Sequence, residues 1–419
     1  MSFLLKEAEL ICLEKEEIIT GDLLLGEDRI ISLGKEINCP AEHTEVIDCK
    51  GLQVFPGFFD IHVHFREPGQ THKEDIKSGL QAAAAGGFTG VAAMANTSPV
   101  IDKPELVETL LARGRELQGP DYCQIGAATF GLAGREFTDI PGLLRAETVA
   151  ISDDGHPIPD PGMLKELLQW TLELGFVYIE HCEDKTYEPE DPRSEINMVY
   201  RDIDCLAQTG GNLHLAHISC KKSLELVAEG KKEGLNLTCE VTPHHLALDQ
   251  ETIKKMGTNA RMNPPLRSRE DVLALQQGVA EGLIDAIATD HAPHTSEEKD
   301  VSFNKAPRGV VGLETALGVI WEELFHGLNL SPLLLGKLLA ENPRKILKLP
   351  LQDIKVGNKA DLTVINPARE WSVDPPKFYS KSRNSPFSGE NLQGKPVLVF
   401  KNGQKIMEKG RVMFPTGRS

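Results

Sequence analysis

The 419-residue chain is short of positive charge, of long apolar runs and of paired cysteines. Its 45 Lys and Arg face 62 Asp and Glu, a net charge of −17. That excludes a general nucleic-acid binder, because gripping phosphates needs a basic footprint. No stretch reaches the roughly 18 apolar residues of a membrane-crossing helix. The first nine residues carry Glu7 and Glu9 and no basic n-region, so no signal peptide is expected. The eight cysteines (Cys12, Cys39, Cys49, Cys123, Cys182, Cys205, Cys220 and Cys239) form no Cys-x-x-Cys pair. They are expected as reduced, mostly buried residues of a cytoplasmic protein. Low-complexity segments and short repeats are missing too. What is present is an ordinary globular mixture, 40% hydrophobic and 26% charged.

The length exceeds one compact domain and falls short of three. Residues 1–54 hold short apolar segments with turn signals, as in Ile18-Ile19-Thr20-Gly21-Asp22, and residues 350–419 look alike, as in Ala360-Asp-Leu-Thr-Val-Ile365. Both read as strands and hairpins. Together they predict a small composite β domain of sandwich type, built from both termini. Residues 55–349 alternate instead. Strand-like runs at 54–64, 89–95, 123–130, 149–152, 176–180, 213–218, 235–241 and 285–289 are interleaved with helical patterns at 73–85, 103–117, 163–174, 196–209 and 221–232. Eight strands with intervening helices predict an α/β fold, a distorted (β/α)8 TIM barrel, over a doubly wound open sheet.

Active sites of such barrels lie at the C-terminal strand ends. Five ends here carry His or Asp: Asp60-Ile-His62-Val-His64, Ile151-Ser-Asp153-Asp154-Gly155, Tyr178-Ile-Glu-His181-Cys182, Leu215-Ala-His217-Ile-Ser219 and Ala288-Thr-Asp290-His291. Residues i and i+2 of a strand share a face, so His62 and His64 can reach one cation together. Any one such end is an ordinary polar junction; five on one rim point to a metal site. Imidazole and carboxylate without thiolate suit zinc in a catalytic role, with Cys182 pointing away from His181. Four histidines and two aspartates exceed what one tetrahedral ion with an open position uses. One or two zinc ions per subunit are expected, and the count favours two with a carboxylate between them. Asp153 and Asp154 compete for that place, since alternation lets one of them point inward.

These residues sit in longer motifs: His62-Val-His-Phe-Arg66-Glu-Pro-Gly-Gln70, Asn96-Thr-Ser-Pro99, Ser152-Asp-Asp-Gly155, His181-Cys-Glu-Asp184, Val241-Thr-Pro-His-His245, Met262-Asn263-Pro-Pro-Leu-Arg267 and Ala288-Thr-Asp-His-Ala-Pro-His294. In this order they resemble the amidohydrolase superfamily and, within it, the bacterial-type (class I) dihydroorotases. The resemblance spans about 50–320 and continues through Gly357-Asn-Lys-Ala-Asp-Leu362. It implies metal ligands at His62, His64, Asp154, His181, His217 and Asp290. Family spacing to His181 selects Asp154 over Asp153 as the bridge, and the absence of lysine from Ala150-Ile-Ser-Asp-Asp implies the aspartate-bridged type. The resemblance places substrate against His64, Arg66, Asn96, Asn263 and His294, and against Arg308 and Gly309, whose contact runs largely through the backbone. It departs at Ala95, where proline is common, and at a shortened 182–216 segment.

The reaction implied is the metal-dependent, reversible conversion of N-carbamoyl-L-aspartate to dihydroorotate plus water, a step of pyrimidine synthesis. Zinc lowers the pKa of water to about 7 and polarises a carbonyl. Asp290 is then the catalytic residue, passing the proton of the attacking water to the leaving ring nitrogen and taking it back in ring closure. Arg66, two residues past His64 and so on the ligands' face, offers a planar donor fork to the substrate carboxylate. The resemblance also implies a cytoplasmic homodimer and an association with aspartate carbamoyltransferase. The nearest alternative is another cyclic-amide hydrolase: hydantoinase, dihydropyrimidinase or allantoinase. An inactive scaffold homologue is the alternative of another class, and the complete ligand set counts against it. His43, His72, His156, His214 and His326 read as structural or exposed, His244-His245 as a structural pair, and Thr295-Ser-Glu-Glu-Lys-Asp300 as a solvated loop.

Overall fold

The computed structural model describes residues 2–38 and 43–414, so Cys39 lies outside the described residues. The chain opens with β1 (Ser2–Cys12), β2 (Glu17–Leu25), β3 (Ile30–Gly34), β4 (Thr44–Asp48) and β5 (Gln53–Pro56). Eight strands follow: β6 (Phe58–Val63), β7 (Phe88–Ala93), β8 (Asp121–Gly126), β9 (Ala150–Ser152), β10 (Tyr178–Glu180), β11 (Leu213–Leu215), β12 (Leu237–Val241) and β13 (Ala286–Ile287). The last four are β14 (Leu362–Ser372), β15 (Asn391–Lys401), β16 (Gln404–Glu408) and β17 (Arg411–Val412). The apolar run 54–64 therefore serves two sheets, divided at Gly57.

Strands β6 to β13 pair in chain order, each parallel to the next. Val63 bridges His291, and the His64 N–H donates to the His291 carbonyl at 2.8 Å, which returns the eighth strand to the first. The result is a TIM-like barrel. Its strands read as continuous apolar runs because both faces are covered. Phe59, Ile61, Ala92, Ile125, Ile179 and Ala216 fill the interior, with Ile346 and Leu347 against them. Phe58, Val63 and Val91 belong instead to the core shared with Ile76, Leu80 and Leu110 of the surrounding helices. Those helices include Ile76–Gly86, Pro104–Glu116, Pro161–Glu173, Arg193–Thr209 and Lys221–Lys232, within three residues of the sequence pattern. The first begins late because Asp75 is its N-cap, in a capping box with Ser78; Lys73 and Glu74 stay outside the helix.

The terminal strands join into one mixed sheet of nine, in the order β17-β16-β15-β14-β5-β1-β2-β3 with β4 also on β1. The rings of Phe3 and Phe400 nonetheless meet at 5.2 Å. Two strands lie between theirs, and at about 4.8 Å per strand a flat sheet would hold them well apart. The sheet therefore folds over itself and encloses Leu5, Leu10, Leu23, Val54 and Leu362. None of the seven described cysteines is in a disulfide, and no described helix is long and apolar enough to cross a membrane.

Candidate active site

The site begins with an irregularity in β6. Its register against β7 shifts between Asp60 and Val63. Before the shift Phe59 and Ile61 face the barrel interior; after it Val63 and Phe65 pack outward, and His62 and His64 turn in. A bulge commonly re-aims side chains in this way beside active sites. The Asp60 carboxylate holds the shifted backbone, accepting the N–H of His62 at 3.1 Å and of Thr289 at 3.2 Å.

Two triads converge above the interior, His62–His64–Asp154 and Asp154–His181–His217. Asp154 belongs to both. His62 Nε2, His181 Nδ1 and His217 Nε2 stand 3.5, 3.6 and 3.7 Å from Asp154 Oδ1, and His64 Nε2 stands 3.5 Å from Oδ2. Zinc bonds of about 2.0–2.2 Å at tetrahedral angles separate ligand atoms by about 3.4 Å. Each triad thus has a spacing that a divalent cation could use, and Asp154 is common to both. Asp290 Oδ1 lies 2.9 Å from His64 Nε2 and 3.8 Å from His62 Nε2, on the first of them.

The ring orientations agree. His62 Nδ1 donates to Glu240 Oε1 at 2.7 Å and His64 Nδ1 to Asn96 Oδ1 at 2.9 Å. Each Nε2 thereby faces the carboxylates and is the nitrogen that a bound cation would take as its ligand. His62 Nε2 and Asp154 Oδ1 are buried and have no hydrogen-bond partner; such atoms are costly unless a ligand meets them. Burial opposes charge on His62, His181, Asp154 and Asp290, but mutual attraction outweighs it. Glu240, Asp154 and Asp290 lift His62 to about 10, and Asp154 and Glu183 lift His181 to about 10. The imidazoles hold Asp154 and Asp290 well below the carboxylate range. A field that draws protons this strongly also draws a divalent cation. His217 and Asp290 both sit in the left-handed region, φ 34° and 47°, a strained backbone that clusters at functional sites.

Asp153 is occupied elsewhere. Its carboxylate accepts the N–H groups of Ala128 and Thr129 at 2.8 and 3.0 Å, together with the Thr129 hydroxyl, so that Asp154 and not Asp153 belongs to the two triads. Cys182 turns from the site, its Sγ 3.7 Å from Asp202. A cavity of about 170 Å³ opens over the triads, lined among others by Arg66, Asn96, Asn263, Asp290, Arg308 and Gly309. Gly309 has φ 137°, and a Cβ there would lie 2.7 Å from that of Ala292; only glycine brings this backbone so close. Asn96 also spends its amide N–H on Asp154 at 3.0 Å. Asn263 Nδ2 stands 3.1 Å from His181 Nε2. Arg308 reaches Glu183 and Glu190 at 3.9 and 3.8 Å.

His294 lies behind this wall. Its Nε2 donates to the Arg308 carbonyl at 2.9 Å, and Arg66 stands 3.4 Å away. Burial, then Arg66, holds the ring down at about 3, hence neutral. Arg66 itself is anchored by Nε to the Pro293 carbonyl at 3.2 Å. The segment 295–300, expected as a solvated loop, is instead partly structural. Thr295 caps a short helix, Ser296–Lys299. Lys299 is buried, donating to the carbonyls of Thr258, Arg261 and Pro307 at 3.0, 3.1 and 2.9 Å. His214 is buried against Glu240 at 3.2 Å, whereas His72, His156 and His326 are exposed. His245 ties Thr242 to the Pro264 carbonyl.

Glu240, bonded to His62 and His214, is a neighbour of the site that sequence reasoning missed. A signal existed: a carboxylate inside the strand-like run 235–241, in a sheet covered on both faces, needs a buried partner.

The barrel with two triads at its C-terminal mouth defines the amidohydrolase class. The family model described as "Amidohydrolase family" matches residues 164–406 and "Dihydro-orotase-like" matches 51–201. Among solved structures, L-hydantoinase (dihydropyrimidinase) from Arthrobacter aurescens superimposes with TM-score 0.89 at 24% identity, covering 98% of this chain and 97% of that one. D-hydantoinase (dihydropyrimidinase) from Thermus sp. gives 0.85 at 24%, covering 99% and 97%. These likenesses establish the fold. Curated dihydroorotases are nearer in sequence. That of Pelotomaculum thermopropionicum is 40% identical over 97% of this chain and 99% of its own, and that of Brevibacillus brevis is 41% identical over 94% and 96%. The chain belongs to the dihydroorotase family.

Proposed function

We propose that the chain is a dihydroorotase, closing N-carbamoyl-L-aspartate to dihydroorotate and reopening it, with zinc at both triads. The observation that carries this reading is Asp154 shared by two triads, with Arg66 and the Gly309 backbone at the same cavity, in a chain whose full-length relatives are dihydroorotases. A divalent ion bound there supplies a low-pKa water and an electrophile for the carbonyl. The protein's own residues do the rest. Asp290, kept ionised by the surrounding imidazoles, accepts a proton from the attacking water and hands it to the ring nitrogen; in closure it takes that proton back. Arg66, held at Pro293, presents its remaining guanidinium donors to the substrate carboxylate, while Asn263 and Gly309 bound the ring. Asn96 orients His64 and Asp154 from the same wall. His294 braces Arg66 and Arg308. Family membership, rather than any contact in the structure, supports zinc over other ions, a homodimer, a cytoplasmic location and association with aspartate carbamoyltransferase.

The test is turnover by zinc-loaded protein in both directions, against hydantoin and allantoin. Dihydroorotate and carbamoyl-aspartate are the preferred substrates, activity disappears on chelation, and it returns with zinc. Preference for hydantoin or allantoin would reassign the substrate; indifference to chelator would remove the metal.

A further inference from the structure

The barrel does not complete its own mouth. Between β14 and β15 the chain returns to the rim and is tied down there at two places. Ser380 donates its hydroxyl to Glu74, whose carboxylate also receives the Lys381 N–H and His291 Nε2–H, each at 3.3 Å. Asn384, 3% exposed, spends its whole side-chain amide on two loops of the cavity. Its Oδ1 accepts the His294 N–H at 3.2 Å, and its Nδ2 donates to the carbonyls of Ala292 at 3.3 Å and Gly309 at 3.0 Å. Its own carbonyl accepts the Val311 N–H at 3.1 Å. One acceptor facing an N–H and two donors facing two carbonyls is a pattern that an amide satisfies and a carboxylate of the same shape does not.

We propose that Asn384 is a positioning residue for substrate, setting the spacing between segments 292–294 and 308–309. The first segment anchors Arg66 through the Pro293 carbonyl, and the second presents the Gly309 backbone to the cavity. Asn384 itself does not line that cavity. The inference rests on reading Arg66 and Gly309 as substrate contacts.

The experiment compares zinc-loaded wild type with Asn384→Ala and Asn384→Asp by steady-state dihydroorotate hydrolysis, zinc analysis and amide hydrogen exchange of peptides spanning 289–313. KM rises about tenfold or more while kcat stays within about threefold and zinc content is unchanged, and the His294 and Val311 amides exchange faster. Unaltered KM in both variants, or kcat and zinc falling together at constant KM, overturns the proposal. If either variant does not fold, Asn384→Ser, which keeps one donor, must still raise KM about threefold. Wild type without activity on dihydroorotate refutes the functional reading instead; exchange then decides the pinning on its own, and unchanged exchange overturns it.

Discussion

The two ends of the barrel both bury charge, and they do it differently. At the N-terminal end Lys401 donates to Asp121 at 2.7 Å and Asp361 at 2.6 Å, Gln352 and the Asn402 N–H complete Asp361, and Arg344 donates to the Gly57 carbonyl at 2.8 Å with its guanidinium over the Phe59 ring. None of these groups is left without a partner. At the C-terminal end His62 Nε2, Asp154 Oδ1 and His217 Nδ1 are buried and unpartnered, and the first two converge with their neighbours. A closed buried network holds a fold together; an open one is shaped for something that enters. Size does not separate the two. A cavity of about 740 Å³ lies beside Lys401, against about 170 Å³ at the triads.

Substitutions at the two ends should therefore fail in opposite ways. Asp290→Asn lowers kcat in both directions by about 10²–10⁴ with zinc retained; turnover near wild type would remove Asp290 from proton transfer. Lys401→Met leaves Asp361 buried without its cation and costs about 3–5 kcal/mol in denaturant unfolding, while kcat/KM per folded molecule holds. If activity fell and stability did not, the contrast between the ends would be wrong. Glu240→Gln removes the carboxylate that orients His62 and weakens zinc binding about 10–100-fold in a chelator competition, an effect Lys401→Met does not share. Arg66→Lys loses the fork geometry and raises KM about tenfold at unchanged zinc content; an unaltered KM would move the carboxylate elsewhere. The smallest effect is on pH. His294 is held at about 3 against an ordinary 6.5, so as pH falls from 6.5 towards 3 the unfolded chain takes up a proton that the folded chain does not. Stability declines across that window, and His294→Gln makes the decline shallower in unfolding measured at pH 4 and pH 7.

Much of this was legible residue by residue. The period-two spacing of His62 and His64 and the polar ends of the apolar runs at Asp154, His181, His217 and Asp290 located the rim, because strand and helix periodicity are local properties. The place where the 54–64 run changes sheets was not legible. Its residues are uniformly apolar, and only the pairing partners differ. Lys299 misled for the same reason: in a polar segment, nothing nearby announces three carbonyls contributed by residues 258, 261 and 307. Asn384, some 90 positions from the amide it accepts, carries no local pattern at all.

The sequence by itself determined the candidate donor set and the α/β alternation, since these follow from residue type and near-neighbour spacing, and its longer motifs carried the resemblance to the family. Tertiary structure alone decided that the slip in β6 turns His62 and His64 inward, that Thr129 engages Asp153 and frees Asp154, and that Glu240 and Asn384 brace the site. Each of these depends on a distance between segments remote along the chain, and such a distance exists only once the barrel has closed.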